Sequence, residues 1–303
     1  MNSPTLPPFF YSRFTIHRCP APCALLSFAI FAQISNLTEK ISMPLRISAI
    51  GIILLLCMPF SAYGIEIPIE FHGSLSAAEY LNSDSSRFNM DVSMDVYVTL
   101  VRHDDISLFV RYRDDLDMGE QHHGITLDPR YTHYYVAFGI DYFREQLLFS
   151  TYYMHDCVHL IDAEIDEAPV FNRFRISAAD AHMHRSLRQR TKKRFLWSVE
   201  LGVYPHIQYS GWDINAGADY EFDFAVNTVF TLWRKGNIGI DFNPMFQIAK
   251  GDTSWYHQDV LHLNTYYVAK KARFGLGIAY NLWNNDPIKG PDKLWLLSAY
   301  GAF

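Results

Sequence analysis

Phe88-Asn89-Met90-Asp91-Val92-Ser93-Met94-Asp95-Val96-Tyr97-Val98-Thr99-Leu100 alternates along its whole length, apolar at every second position with Asn, Asp, Ser, Tyr or Thr between. Folded as a strand, it has one apolar face and one mostly polar face. The pattern returns in Tyr220, Phe222, Phe224, Val226, Thr228, Phe230 and Leu232, set against Asp219, Glu221, Asp223 and Asn227. It returns again in Phe195 to Val203 and in Phe274 to Leu282. A soluble sandwich also alternates, so period alone does not choose the fold. Length does. The strands are commonly ten residues or more, and a strand crossing a membrane needs about 9–11, whereas strands of globular proteins average about 5–6.

Connections sharpen the choice. Short ones (102–105, 143–146, 234–236 and 270–272) take turns with longer ones (114–130, 162–193, 251–258 and 284–292). Transmembrane barrels have this rhythm, with short turns on one side and long loops on the other. Tyr134, Tyr135, Tyr142, Trp233, Trp283 and Trp295 gather near strand ends, where interfacial girdles form. The expectation is an all-β chain: a single antiparallel transmembrane β-barrel of about twelve strands. They run near 68–80, 87–101, 106–114, 131–143, 147–161, 194–205, 207–213, 219–233, 237–249, 259–269, 273–283 and 294–303. An even count puts both ends of the barrel on the short-turn side, and closure leaves no unpaired edge in lipid.

The barrel is read as 65–303. Ahead of it, Arg46, the apolar run Ile47–Met58 and Ala62-Tyr63-Gly64 form an export signal, with cleavage expected after Gly64 and Met43 read as the true start. The run is too short to span a bilayer as a helix. The full chain carries 26 basic and 32 acidic residues. Removing Arg13, Arg18, Lys40, Arg46 and Glu39 with the first 64 residues leaves 22 and 31, a net of −9. That excess of acid excludes nucleic acid as a partner. Cys157 is the one cysteine left, so no internal disulfide forms.

The final strand, with Trp295, Leu297, Ala299, Gly301 and terminal Phe303, resembles the assembly signal of Gram-negative outer-membrane β-barrel proteins. The resemblance implies the bacterial outer membrane, partners in outer-membrane lipid and lipopolysaccharide, and handling by the barrel-assembly machinery.

One segment carries chemistry. In Tyr152-Tyr153-Met154-His155-Asp156-Cys157-Val158-His159-Leu160-Ile161-Asp162, a strand puts His155, Cys157 and His159 on one face, near the outer rim, with Asp156 and Asp162 on the other. On the preceding strand Tyr134, Val136, Phe138, Ile140 and Tyr142 read as outward, so His133 points inward. Pairing Tyr142 with Leu148 turns the trio inward; pairing it with Leu147 turns it to lipid. Imidazoles in lipid are costly, which favours the inward set. Two chemistries follow. His133, His155, Cys157 and His159 would make a transition-metal site for zinc or copper. Alternatively Cys157 is a nucleophile with His155 or His159 as its base. His155-Asp156-Cys157 resembles the His-x-Ser pair of outer-membrane lipid hydrolases, such as outer-membrane phospholipase and lipid A deacylase. That resemblance implies attack on acyl esters of phospholipid or lipid A. The sequence shows no orienting third partner beside the pair.

Inward acids (Asp91, Asp95, Asp219, Glu221, Asp223 and Asp241) are read as lining a cation-favouring pore or a side-chain plug. His122-His123, His182-Met183-His184 and the basic run Arg185, Arg188, Arg190, Lys192, Lys193 and Arg194, with Arg173 and Arg175 nearby, are placed in outside loops. The basic run reads as a rim for lipopolysaccharide phosphates. A short helix is expected over Ala178 to Arg190, capped by Ser177. The leading expectation is a structural or small-solute transport barrel. The alternatives are a lipid hydrolase and an adhesin that uses loop 162–193.

Overall fold

The computed structural model describes residues 65–66, 70–83, 88–119, 128–161, 170–206, 220–286 and 292–303. The expected export signal and its cleavage point, within 1–64, lie outside the described residues. Twelve long strands make the fold: β1 (Glu70–Leu81), β2 (Met90–His103), β3 (Ile106–Gly119), β4 (Asp128–Arg144), β5 (Leu147–Leu160), β6 (Val170–Asp180), β7 (Phe195–Val203), β8 (Tyr220–Lys235), β9 (Ile238–Gly251), β10 (Trp255–Val268), β11 (Arg273–Asn284) and β12 (Trp295–Ala302). Each pairs antiparallel with the next, and β12 returns to β1 with Leu297 opposite Glu79. The sheet therefore closes. Ile65–Glu66 continues the line of β1 against the end of β2.

Alternation sorts the side chains. Val136, Phe138, Ile140 and Tyr142 on β4, and Phe174 and Ile176 on β6, are exposed on the outside, while Ala137, Asp141, Arg173 and Arg175 are buried within. An outward apolar band around a polar interior is the arrangement that lipid selects. Among the described residues no helix is long and apolar enough to cross a membrane.

Both ends of the closed sheet share one rim with the two-residue turns Asp104-Asp105, Glu145-Gln146 and Gly236-Asn237, which marks the periplasmic side. Each of these turns opens with a residue of positive φ, at Asp104 (48°), Glu145 (54°) and Gly236 (59°), which lets the chain reverse in two residues.

The count of twelve stands, but one strand moves. The segment 207–213 lies outside the described residues, and β7 pairs directly with β8, Phe195 opposite Phe230. The strand that completes the ladder is β6, inside what the sequence reads as one long outer loop over 162–193. Val170–Asp180 of that stretch is strand, and 162–169 lie outside the described residues. Residues 181–194 follow β6 on the periplasmic side, so the expected lipopolysaccharide-binding rim and the 162–193 adhesin loop do not form as read.

The periplasmic segment folds back into the barrel. Ser177 to Asp180 remain strand, and the helical part shrinks to a 3-10 turn (Ala181–Met183) and the one-turn α1 (Arg185–Arg188). The cap is Asp180, whose carboxylate accepts the His182 backbone N–H at 2.9 Å. Ala181 packs with Leu148 and Ala179, flanked by Phe143, Met183 and Leu187. Arg185 reaches across the lumen, donating to Ser74 Oγ at 2.8 Å and pairing with Asp95.

Candidate functional site

The hairpin of β4 and β5 decides where the His/Cys cluster points. Its two-residue turn pairs Arg144 with Leu147 and so puts Tyr142 opposite Phe149. Neither anticipated pairing occurs, but the parity is that of the lipid-facing one. Cys157 stands opposite Tyr134, His155 opposite Val136 and His159 opposite Thr132, all on the outward face. His133 stands opposite Val158 on the inward face. The expected inward set of His133, His155, Cys157 and His159 is thus split across the sheet. Among the described residues no three His, Cys, Asp or Glu side chains converge to hold a metal.

What the outward face gains instead is Asn172 from β6, which the sequence reading left in a loop. It lies directly opposite His155. Its Oδ1 is 2.8 Å from His155 Nδ1 and also accepts the Tyr153 hydroxyl. Asn172 is buried, so the pair is held against the wall rather than waving in lipid. With Nδ1–H donating to Asn172, Nε2 is the free, basic nitrogen. Cys157, unoxidised and buried, follows two residues later on the same face, roughly 6.5–7 Å along the strand. Tyr134 and His159 pack edge to face beside it, with ring centroids 5.4 Å apart. Thr132 donates to Asp114 at 2.7 Å just beyond. Phe149, Phe174 and Ile176 lie below the polar patch, toward the periplasm, and Val136 and Ile161 are exposed beside and beyond it.

Behind the patch the interior is charged, and its acids and arginines pair with one another. Asp156, fully buried, pairs with His133 and lies 3.0 Å from Arg173. Arg173 contacts Tyr204 and lies 3.6 Å from Asp223. Asp223 also takes Arg175 and the Tyr204 hydroxyl, the latter at 2.7 Å. Arg175 continues to Glu200 at 3.0 Å, which accepts Tyr152 at 2.8 Å. A Cβ at Gly202 would lie 2.7 Å from the Asp223 carboxylate, so only glycine leaves room for this junction. On the other side of the barrel Asp95 takes Arg111 at 2.8 Å, and Asp241 takes Arg273 at 2.6 Å. The acids expected to favour cations are neutralised by arginines at Asp95, Asp223 and Asp241; Asp219 lies outside the described residues. A cavity of about 660 Å³ remains in the lumen, lined by residues from all twelve strands and from α1.

The closed ladder, the outward apolar band and this polar interior together fix the setting. The chain is an outer-membrane β-barrel protein. It lives in the lipid of the bacterial outer membrane. His122-His123 lie outside the described residues, and His182 and His184 belong to the periplasmic segment rather than to an outer loop.

No family model and no curated protein matches the chain. Solved structures do. Outer membrane phospholipase A from Escherichia coli superposes with a TM-score of 0.49 at 10% identity, over 77% of this chain and 92% of that one. The Salmonella typhi outer membrane phospholipase dimer with bound calcium gives 0.48 at 10%, over 77% and 90%. OmpT of Vibrio cholerae gives 0.37 at 9%, over 78% and 97%. Likenesses this distant say nothing about chemistry.

Proposed function

We propose that the chain is a lipid-ester hydrolase of the outer membrane, with Cys157 as nucleophile, His155 as general base and Asn172 as the group that orients it. The observation that carries this is the 2.8 Å contact between His155 Nδ1 and Asn172 Oδ1 on the lipid face, next to Cys157. Polar side chains cost free energy on a lipid-facing surface. A cysteine, a histidine and an asparagine held there in one line are the parts of a Cys-His-Asn triad. His155 would take the thiol proton while Sγ attacks the ester carbonyl. The alcohol would leave with that proton, giving a thioester. Water, deprotonated by His155, would then cleave the thioester and release the fatty acid. The patch sits at the outer end of the apolar band, so the substrate class is an acyl ester near the headgroups of the outer leaflet.

The test is fatty-acid release from phospholipid in mixed micelles by the refolded protein. Cys157→Ala and His155→Ala should each lower it by about 10²-fold or more, and hydroxylamine should intercept the acyl thioester. Unchanged release by Cys157→Ala would end the proposal.

The 660 Å³ cavity, with charged side chains in its lining, supports a second reading, small-solute passage through the lumen. Single-channel conductance in planar bilayers checks it, and a silent bilayer would exclude it.

A further inference from the structure

Seven arginines line the large cavity: Arg111, Arg113, Arg173, Arg175, Arg185, Arg188 and Arg273. Six of them are matched by carboxylates. Arg111 and Arg185 share Asp95, and Arg113 lies 2.7 Å from Asp115. Arg173 and Arg175 use Asp156, Asp223 and Glu200, and Arg273 uses Asp241. The Arg188 side chain makes no ion pair or hydrogen bond to another described residue. Its Nε is buried without an acceptor, as are those of Arg173, Arg175 and Arg273, but those three have carboxylates at their terminal nitrogens. A guanidinium offers five donors, and an enclosed donor left unmatched is costly.

The surroundings deepen the shortage of negative charge. Arg188 sits on α1, which enters the barrel from the periplasmic side. Burial and the facing Arg273 both hold its pKa below the usual guanidinium value, with Asp241 offsetting them only in part. Arg273 is already committed, bound to Asp241 and stacked 3.5 Å over the Tyr266 ring. On its other side Arg188 borders a second cavity of about 20 Å³, room for about one water and too small for an oxyanion, so a ligand would reach Arg188 from the large cavity. Its lining holds Arg188, Lys193, Arg234 and Arg273 against Asp241 alone. Lys193 is paired with Asp180 at 2.6 Å, and Arg234 spends a donor on the Thr191 carbonyl at 2.6 Å.

We infer that the periplasmic end of the lumen is an anion site, in which a phosphate-sized oxyanion binds Arg188 with Arg273 beside it. An oxyanion of that size offers several acceptors to a planar guanidinium fork. The lining side chains point inward, away from lipid, so the ligand is a free anion rather than a headgroup. Binding would also lock α1 into the barrel, because Arg188 rides on it.

Inorganic phosphate is the probe, titrated into the full barrel refolded in detergent at constant ionic strength, with chloride as the balancing salt. Phosphate should raise the unfolding temperature by ~3 °C or more at saturation and show saturable heat in calorimetry. Arg188→Gln should fold and lose both responses. Arg190→Gln, an exposed neighbour on the same segment, should keep both. Equal responses from the wild-type protein and Arg188→Gln, or no saturable phosphate binding by the wild-type protein, would overturn the inference.

Discussion

The two faces of the β5–β6 ladder bury polar groups by opposite rules. Inside, Asp156, Arg173, Asp223 and Arg175 each touch an opposite charge, so the cost of removing them from water is offset by partners. Outside, His155, Cys157 and Asn172 form one hydrogen bond between side chains of the group and lie beside lipid. Neighbouring residues on the same strands do both jobs: Asp156 stands between His155 and Cys157, and Arg173 follows Asn172. The inner network therefore reads as the clamp that fixes register, and the outer line as the part whose cost calls for a use. A slip of one residue would exchange the two sets.

The largest effect that can break this comparison comes from the inner face. Arg173→Ala should destabilise the barrel by about 3–5 kcal/mol in urea titrations of the detergent-refolded protein, because it leaves the buried Asp156 carboxylate with His133 alone and removes a cation from Asp223. Arg173→Met combined with Asp156→Asn should recover much of that loss, since the uncompensated charge goes with its partner. If Arg173→Ala is neutral, the inner network is not a clamp.

A smaller effect belongs to the outer face. Asn172→Ala should lower kcat for ester release by about 10–10²-fold, leave KM nearly unchanged, and shift the acid limb of the pH profile, while barely changing the urea midpoint. Asn172→Asp should restore part of the rate, because a carboxylate also accepts from Nδ1–H. A matching loss of stability and activity would mean that Asn172 only holds strands together.

The contrast also explains how much was legible in the sequence. Strands whose inward residues are small or neutral, such as Phe274 to Leu282, showed their period directly. β6 did not. Phe171-Asn172-Arg173-Phe174-Arg175-Ile176 alternates just as strictly, but Arg173 and Arg175 look like solvated loop charges until acids from β5, β7 and β8 are known to face them. Losing β6 displaced the basic run to the wrong side of the membrane and hid Asn172, the third member of the outer line. The turn at Glu145-Gln146 was the second blind spot: a glutamate at positive φ gives no compositional warning, yet it sets the parity that turns Cys157 outward. His155 and Cys157 were found because both residue types are rare together on a strand; which way they faced was a property of that turn.

The smallest expected effect extends the rule to the periplasmic segment. His184 is buried there, its ring packed against His72, Tyr97 and Phe143. Burial, then His72 and Arg102, hold its pKa down at about 4, with Glu70 opposing them and Arg185 adding to them. The Asp141 carboxylate is 4.0 Å away but already accepts Ser150 and Tyr97. An unfolded histidine titrates near 6.5, so between about 6.5 and about 4 the unfolded segment binds a proton that the folded one refuses. Stability of the docked segment should be full above pH 6.5 and fall as pH drops toward 4, by on the order of 3 kcal/mol at most. The protection factors of 181–188, exchange rates taken relative to the intrinsic rate at each pH, should fall across that window while those of β9 and β10 hold. In His184→Gln that loss of protection should flatten, since a neutral amide has no proton to gain. If the protection factors of the segment are the same at pH 4 and pH 7, His184 is not the interior group whose neutrality keeps α1 in the barrel, and the rule that buried polar groups here are matched or neutral stops at the strands.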